Sequence, residues 1–461
     1  MKVTFVCSGL NSTPFSEYIP FSKYLNGQNV ETSFLLDNNV SEKTLKALEN
    51  GNRVYYTESK PKPSSGNSVQ TSKNQKSKIG FLKRIPILKS VYEYLSGYKA
   101  YRAAIANLSS YDKIAAKVLS KEQPDCIILY GDRNLTIVPP AIKFARSNNI
   151  PLVVLQVAAS MKSILLHGRL NKIENSESLL INQYLKRKFP QQWTLEGDKS
   201  YSFYSWHLTL ALSKLGMLPN NPWYDGDSWA NKHLLISEQN LIAKRNDGSL
   251  CSNSIVVGQF SHDLLHENYV NKESIKQKLD KKYFNKNGKP FIIIAFPQFW
   301  EHNLMPREEA FKEIDALVNQ LSLIEDFNVL VSLHPKMKYE HYVHYEQKAI
   351  NLKIAKDERL SYILPAGQLF LSTFESTTSW ALLCKIVPIY LNYYGYGFTF
   401  NNFPGALSID KKENMSDDLK AIIKNLNIHQ SNLSKGKNQN LPPFDGFSGE
   451  RILNQIKELV N

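Results

Sequence analysis

A chain of 461 residues with 42% hydrophobic and 11% aromatic content can bury a substantial core, and its length favours two domains; disordered and fibrous classes are excluded. Its formal charge of +14 points to an anionic partner, yet eight Lys and Arg residues fall between Ser59 and Ser90, a stretch with no acid. Cys7, Cys126, Cys251 and Cys384 are widely spaced and form no CxxC pair, so they read as reduced structural thiols. With no signal-peptide core and no apolar run of about 18 residues, a cytosolic protein is expected.

Short apolar, β-branched runs alternate with stretches at helical spacing, the pattern of parallel βαβ units. The first half predicts strands over 2–7, 32–36, 126–130, 151–157, 233–237 and 254–259, with helices over 139–149 and along the run 177–218. Between them lies the basic insertion 58–90. Its first part, "KPKPSSGNSVQTSKNQKSK", has the composition of a mobile loop. Its second part, "IGFLKRIPILKSVYEYL", reads either as the entry to a packed helix or as a peripheral contact with an anionic membrane. No RNP, KH or zinc-finger pattern accompanies the charge, so nucleic acid is not expected as a partner.

After Gln259 the chain turns polar, and a boundary is expected near 262–288. A second series follows, with strands over 290–296, 328–333, 369–373 and 387–391 and helices over 307–323, 339–350 and 376–384. A cap at Ser448 opens a terminal amphipathic helix. The expected fold class is α/β, with two doubly wound domains, 1–262 and 289–440, facing across a cleft, and 441–461 as a helix packing back on the first.

In open parallel sheets ligands bind beyond the carboxyl ends of the strands, which selects a short list of polar residues. "NVLVSL" ends in His334-Pro335-Lys336: the proline stops the strand and biases His334 to an extended backbone, where it can donate to a phosphate beside Lys336 or Lys338. "LFLST" runs into Ser372, Thr373, Glu375, Ser376, Thr377 and Thr378 at the start of a helix, a place for an anion or merely for an N-cap. "IAFPQFWEHNL" places Gln298, Glu301 and His302 after the first strand of the second series, with Glu301 suited to a ribose or an acceptor hydroxyl. "CIILYGDRN" puts Asp132 after an apolar strand, as a base, a sugar ligand or a helix cap. "NPWYDGDSW" sets Asp225 and Asp227 among aromatics, suiting carbohydrate or a simple turn; a D-x-D metal site is not favoured, and no metal or cofactor is expected. GxxxxGK[ST], GxGxxG after the first strand, GxSxG and HExxH are all absent, which excludes kinase, dehydrogenase, lipase and zinc-protease chemistry of those types.

His334-Pro335, with the Ser/Thr cluster about forty residues later, resembles the paired HP and S-S/T motifs of bacterial sialyltransferases and Kdo transferases. That resemblance implies a GT-B fold, a CMP-sugar donor whose phosphate is bound by His334, Ser376 and Thr377, a saccharide or glycolipid acceptor, and a place at the inner face of the membrane. The base of those enzymes sits in a D/E-D/E-G motif. Tyr224-Asp225-Gly226 is the nearest match here and lacks the first acid, so the base lies between Asp225 and Asp132. "YGDRNLTIVPPAIKFARSNNIPLVVLQ", "ANKHLLISEQN" and "SIVVGQFSHDLL" also resemble nucleotide-sugar 2-epimerases, whose Gly-rich phosphate segment is replaced by "STFESTTSWALL". Transfer is therefore the expectation, with a 2-epimerase or a non-catalytic binding subunit as alternatives.

Overall fold

The computed structural model describes residues 1–8, 13–37, 40, 42–57, 86–157, 162–170, 172–302, 304–334, 336–373, 377–395, 403–436 and 441–461. Most of the basic insertion, together with Pro335, Glu375 and Ser376, lies outside them. The chain forms two compact units: 1–260 with 448–461, and 261–447.

In the first unit, seven parallel strands follow the order β3-β2-β1-β4-β5-β8-β9. They are β1 Lys2–Ser8, β2 Glu31–Asp37, β3 Arg53–Tyr56, β4 Cys126–Leu129, β5 Leu152–Leu155, β8 Lys232–Leu235 and β9 Ser254–Val256. β4 and β5 are buried on both faces, as continuous apolar runs in parallel sheets are. The strand order reverses between β1 and β4, which makes that edge the switch point.

The run 177–218 is not one helical stretch. It holds the helix Leu180–Lys188, an antiparallel hairpin of β6 Trp193–Glu196 and β7 Lys199–Ser202, and the helix Trp206–Lys214. Pro190 stops the first helix, and Gly197, at φ +56°, turns the hairpin. The helix Pro86–Glu122 crosses the Trp206–Lys214 helix at Gly97, where a Cβ would stand 2.1 Å from the Trp206 ring. The terminal helix Ser448–Val460 buries Ile452, Leu453 and Ile456 in this unit, and Arg451 Nε donates to the Val257 carbonyl at 2.8 Å.

The second unit is a six-stranded parallel sheet ordered β12-β11-β10-β13-β14-β15, which reads 3-2-1-4-5-6 by appearance. Its strands are β10 Phe291–Ala295, β11 Asn328–Ser332, β12 Leu352–Ala355, β13 Leu369–Ser372, β14 Val387–Leu391 and β15 Leu407–Ile409. The polar stretch after Gln259 is helical over Phe260–Val270 and Lys272–Phe284. The helix expected over 339–350 is two short pieces, Tyr339–Tyr342 and Tyr345–Lys348. The one expected from 376 spans Thr378–Leu383. Among the described residues no helix is long and apolar enough to cross a membrane.

Candidate functional site

The second sheet has its switch point between β10 and β13, and the register there collects the selected residues. Ala295 lies opposite Ser332, and Ile294 opposite Leu371, so the segments leaving β11, β10 and β13 emerge side by side, with strands about 4.8 Å apart. His334 follows β11. The Lys336 backbone N–H donates to its Nδ1 at 3.2 Å, which leaves Nε2–H as the donor of the neutral ring. Burial, with help from His302 and Lys336, pushes the His334 pKa down to about 4. The His302 ring stands 5.6 Å away, roughly edge-on.

After β10, Gln298 is buried and the His302 N–H bonds back to its carbonyl at 3.1 Å, a turn that presents Glu301. Glu301 Oε1 accepts from the Tyr342 hydroxyl, whereas its Oε2 is buried with no hydrogen-bond partner among the described residues. After β13, Ser372 and Thr373 are fully buried, and the Ser372 and Thr378 hydroxyls bond each other at 3.1 Å. Those two act as a clasp between strand end and helix. Thr377 is the N-cap residue but makes no side-chain cap, and its buried Oγ1 has no partner among the described residues. The open carboxylate oxygen can accept from a hydroxyl, and the open Thr377 hydroxyl can donate to an acceptor.

In the first unit the segment after β4 meets residues 222–229. Asp132 is buried and accepts from the backbone N–H groups of Gly226 at 3.1 Å, Ser228 at 3.3 Å and Trp229 at 3.3 Å. Burial raises its pKa and those three donors oppose the rise. It clamps that loop and does not cap the helix Val138–Ser147, whose N-cap is Ile137. The clamp fixes the neighbouring Asp225, which pairs with Arg133 Nη2 at 2.5 Å and keeps 20% of its side chain exposed. Burial, against the pull of Arg133, pushes the Asp225 carboxyl up to about 6. Gly226 sits at φ +79°, and a Cβ there would lie 2.6 Å from the His233 ring, so only glycine fits.

Asp227 turns the other way, to Lys244 at 2.6 Å and the Ser249 hydroxyl at 2.6 Å, with Lys244 also on His233 Nδ1 at 2.9 Å. Asp225 and Asp227 thus serve different cations. Among the described residues no group of three or more His, Cys, Asp or Glu side chains could hold a metal ion. Tyr204, which donates to the Arg133 carbonyl at 2.7 Å, and Lys244 are the members that sequence reading missed. Arg133, beside Asp132 in "GDRN", carried a local signal.

No family model matches the chain, and no curated protein matches it. Solved structures do. The UDP-GlcNAc 2-epimerase from Neisseria meningitidis bound to UDP-GlcNAc is 12% identical, with a TM-score of 0.54 over 99% of this chain and 100% of that one. The UDP-GlcNAc 2-epimerase from Methanocaldococcus jannaschii is 15% identical, at 0.51 over 99% and 100%. A glycosyltransferase from Rickettsia africae is 11% identical, at 0.50 over 100% and 98%. At such identities the likeness is one of fold, and with its two parallel Rossmann-like sheets the chain has the α/β architecture of the GT-B type.

Proposed function

We propose that the chain is a glycosyltransferase that moves a sugar from a nucleotide-activated donor to a saccharide or glycolipid acceptor in bacterial surface polysaccharide synthesis. The His-Pro and Ser/Thr pairing favours a CMP-linked nonulosonate or Kdo as donor. The observation that carries the reading is the gathering of His334, Glu301 and Thr377 at the switch-point edge of the second sheet, two of them with buried polar atoms that lack a partner among the described residues. His334 Nε2–H, Lys336 and the Thr377 hydroxyl would hold the departing nucleotide phosphate as it gains negative charge, and Glu301 Oε2 would accept from a ribose hydroxyl. Asp225 would take the proton of the acceptor hydroxyl, oriented by Arg133 and by the loop that Asp132 clamps.

A second reading, a sugar-nucleotide 2-epimerase, is favoured by the fold likeness to two such enzymes. Thermal-shift screening against CMP, UDP, GDP and dTDP, followed by incubation with the matching nucleotide sugar, separates the two. Stabilisation by CMP and sugar transfer that requires an acceptor is the expected result. A changed sugar on UDP-GlcNAc with no acceptor present would establish epimerisation instead.

A further inference from the structure

Exposed large apolar side chains gather in one part of the first unit. Leu95 and Tyr98 on the helix Pro86–Glu122, and Leu180 and Tyr184 on the helix Leu180–Lys188, are 60, 55, 76 and 54% exposed. Single exposed hydrophobics are ordinary. These four come as two pairs, each one helical turn long, and on each helix the next turn of the same face carries an arginine: Leu95, Tyr98, Arg102 and Leu180, Tyr184, Arg187. The helices are joined where the Ile181 N–H donates to the Tyr94 hydroxyl at 3.4 Å, and their inner faces are occupied, since Tyr94, Leu179 and Leu185 all pack on Trp206. On the outward faces the described neighbours are fewer: Tyr101 lies beside the Tyr98 ring at 6.2 Å and the Lys188 ammonium 5.9 Å over the Tyr184 ring. Lys99, Arg102 and Arg187 are exposed and have no carboxylate partner among the described residues.

We infer that these paired faces seat the first unit on an anionic lipid surface. Leucine and the ring of tyrosine enter the boundary between headgroups and acyl chains, the tyrosine hydroxyl stays wet, and the arginines one turn on meet lipid phosphates. A second copy of the chain fits the face less well, because a two-fold contact would set these unpaired cations against one another.

Sedimentation with vesicles tests this on the full chain. Binding to vesicles of equal phosphatidylglycerol and phosphatidylcholine is expected, with little to phosphatidylcholine alone. Leu95→Ser with Leu180→Ser should weaken partitioning by roughly tenfold or more, and separately Arg102→Gln with Arg187→Gln by about 25-fold, given about fivefold for each cation near an anionic surface, each with unchanged melting temperature. Equal binding to both vesicle types, or full binding by both double variants, overturns the inference. So does binding that disappears only when the lysines and Arg84 of 60–84 are neutralised. Dimers in sedimentation velocity that the serine variant abolishes, without vesicle binding, would show the face to be a self-association surface instead.

Discussion

The carboxyl edges of the two sheets both carry ionisable and hydroxyl side chains, but they engage them differently. Around β4 the charges satisfy one another: Asp132 holds three backbone donors, Asp225 holds Arg133, and Asp227 holds Lys244. Around β10 and β13, Glu301 and Thr377 each keep a buried polar atom without a partner among the described residues. The paired charges around β4 change the chemistry of one group among them, the Asp225 carboxyl, although Thr57 and Thr136 on the same side of that sheet also keep buried hydroxyls without a partner among the described residues. An edge with open valences carries a desolvation cost of about 1–3 kcal/mol for each such group, which a ligand can relieve.

The contrast is broken hardest by Asp225→Asn. If this carboxylate is the base, turnover should fall by about 10²–10⁴-fold while nucleotide still shifts the melting temperature, since the proposed nucleotide contacts are residues of the second unit. The same assignment fixes the pH dependence. With the carboxyl near 6, the competent ionised form is lost below that value, so kcat/KM should drop about tenfold for each pH unit below it. A profile that stays flat down to pH 5 rules Asp225 out.

His334→Ala comes next, with an expected loss of about 10²–10³-fold in turnover, consistent with removal of one donor to a developing anion. A variant that still transfers from a CMP-sugar at the native rate would remove His334 from the leaving-group role. Glu301→Gln and Thr377→Val are expected to weaken nucleotide binding by about 5–30-fold, measured by calorimetry, with little loss of fold stability because each already has an unpaired atom in the free protein.

The smallest effect concerns stability. The folded pKa of His334 lies below its ordinary 6.5, so the unfolded chain binds the proton more readily. Its contribution is intact above about 6.5 and is lost progressively as pH falls to about 4. Urea midpoints of wild type and His334→Gln should therefore diverge over that interval, by roughly 1–2 kcal/mol once solvent screening of this half-buried ring is allowed for.

What the sequence disclosed follows from the range of the forces involved. "FIIIA" and "NVLVS" are legible as strands because both faces are buried and every residue says so. β3 "RVYY", β12 "LKIA" and β15 "LSI" are short and partly polar, and only their pairing partners make them strands. His334 was singled out because proline marks a strand end locally, and β11 does end just before it. The clamp role of Asp132 was not, because its donors lie more than ninety residues away and are backbone groups that any sequence would supply.

The composition of the first unit from residues 1–260 and 448–461 sets an order of events on the ribosome. The second unit, 261–447, is continuous and can close as soon as it emerges, whereas the first waits for a helix made after the second unit. Until Ile452, Leu453 and Ile456 arrive, the surface they cover stays open, so a nascent chain stalled before residue 448 should be a better client for chaperones than its length alone would suggest.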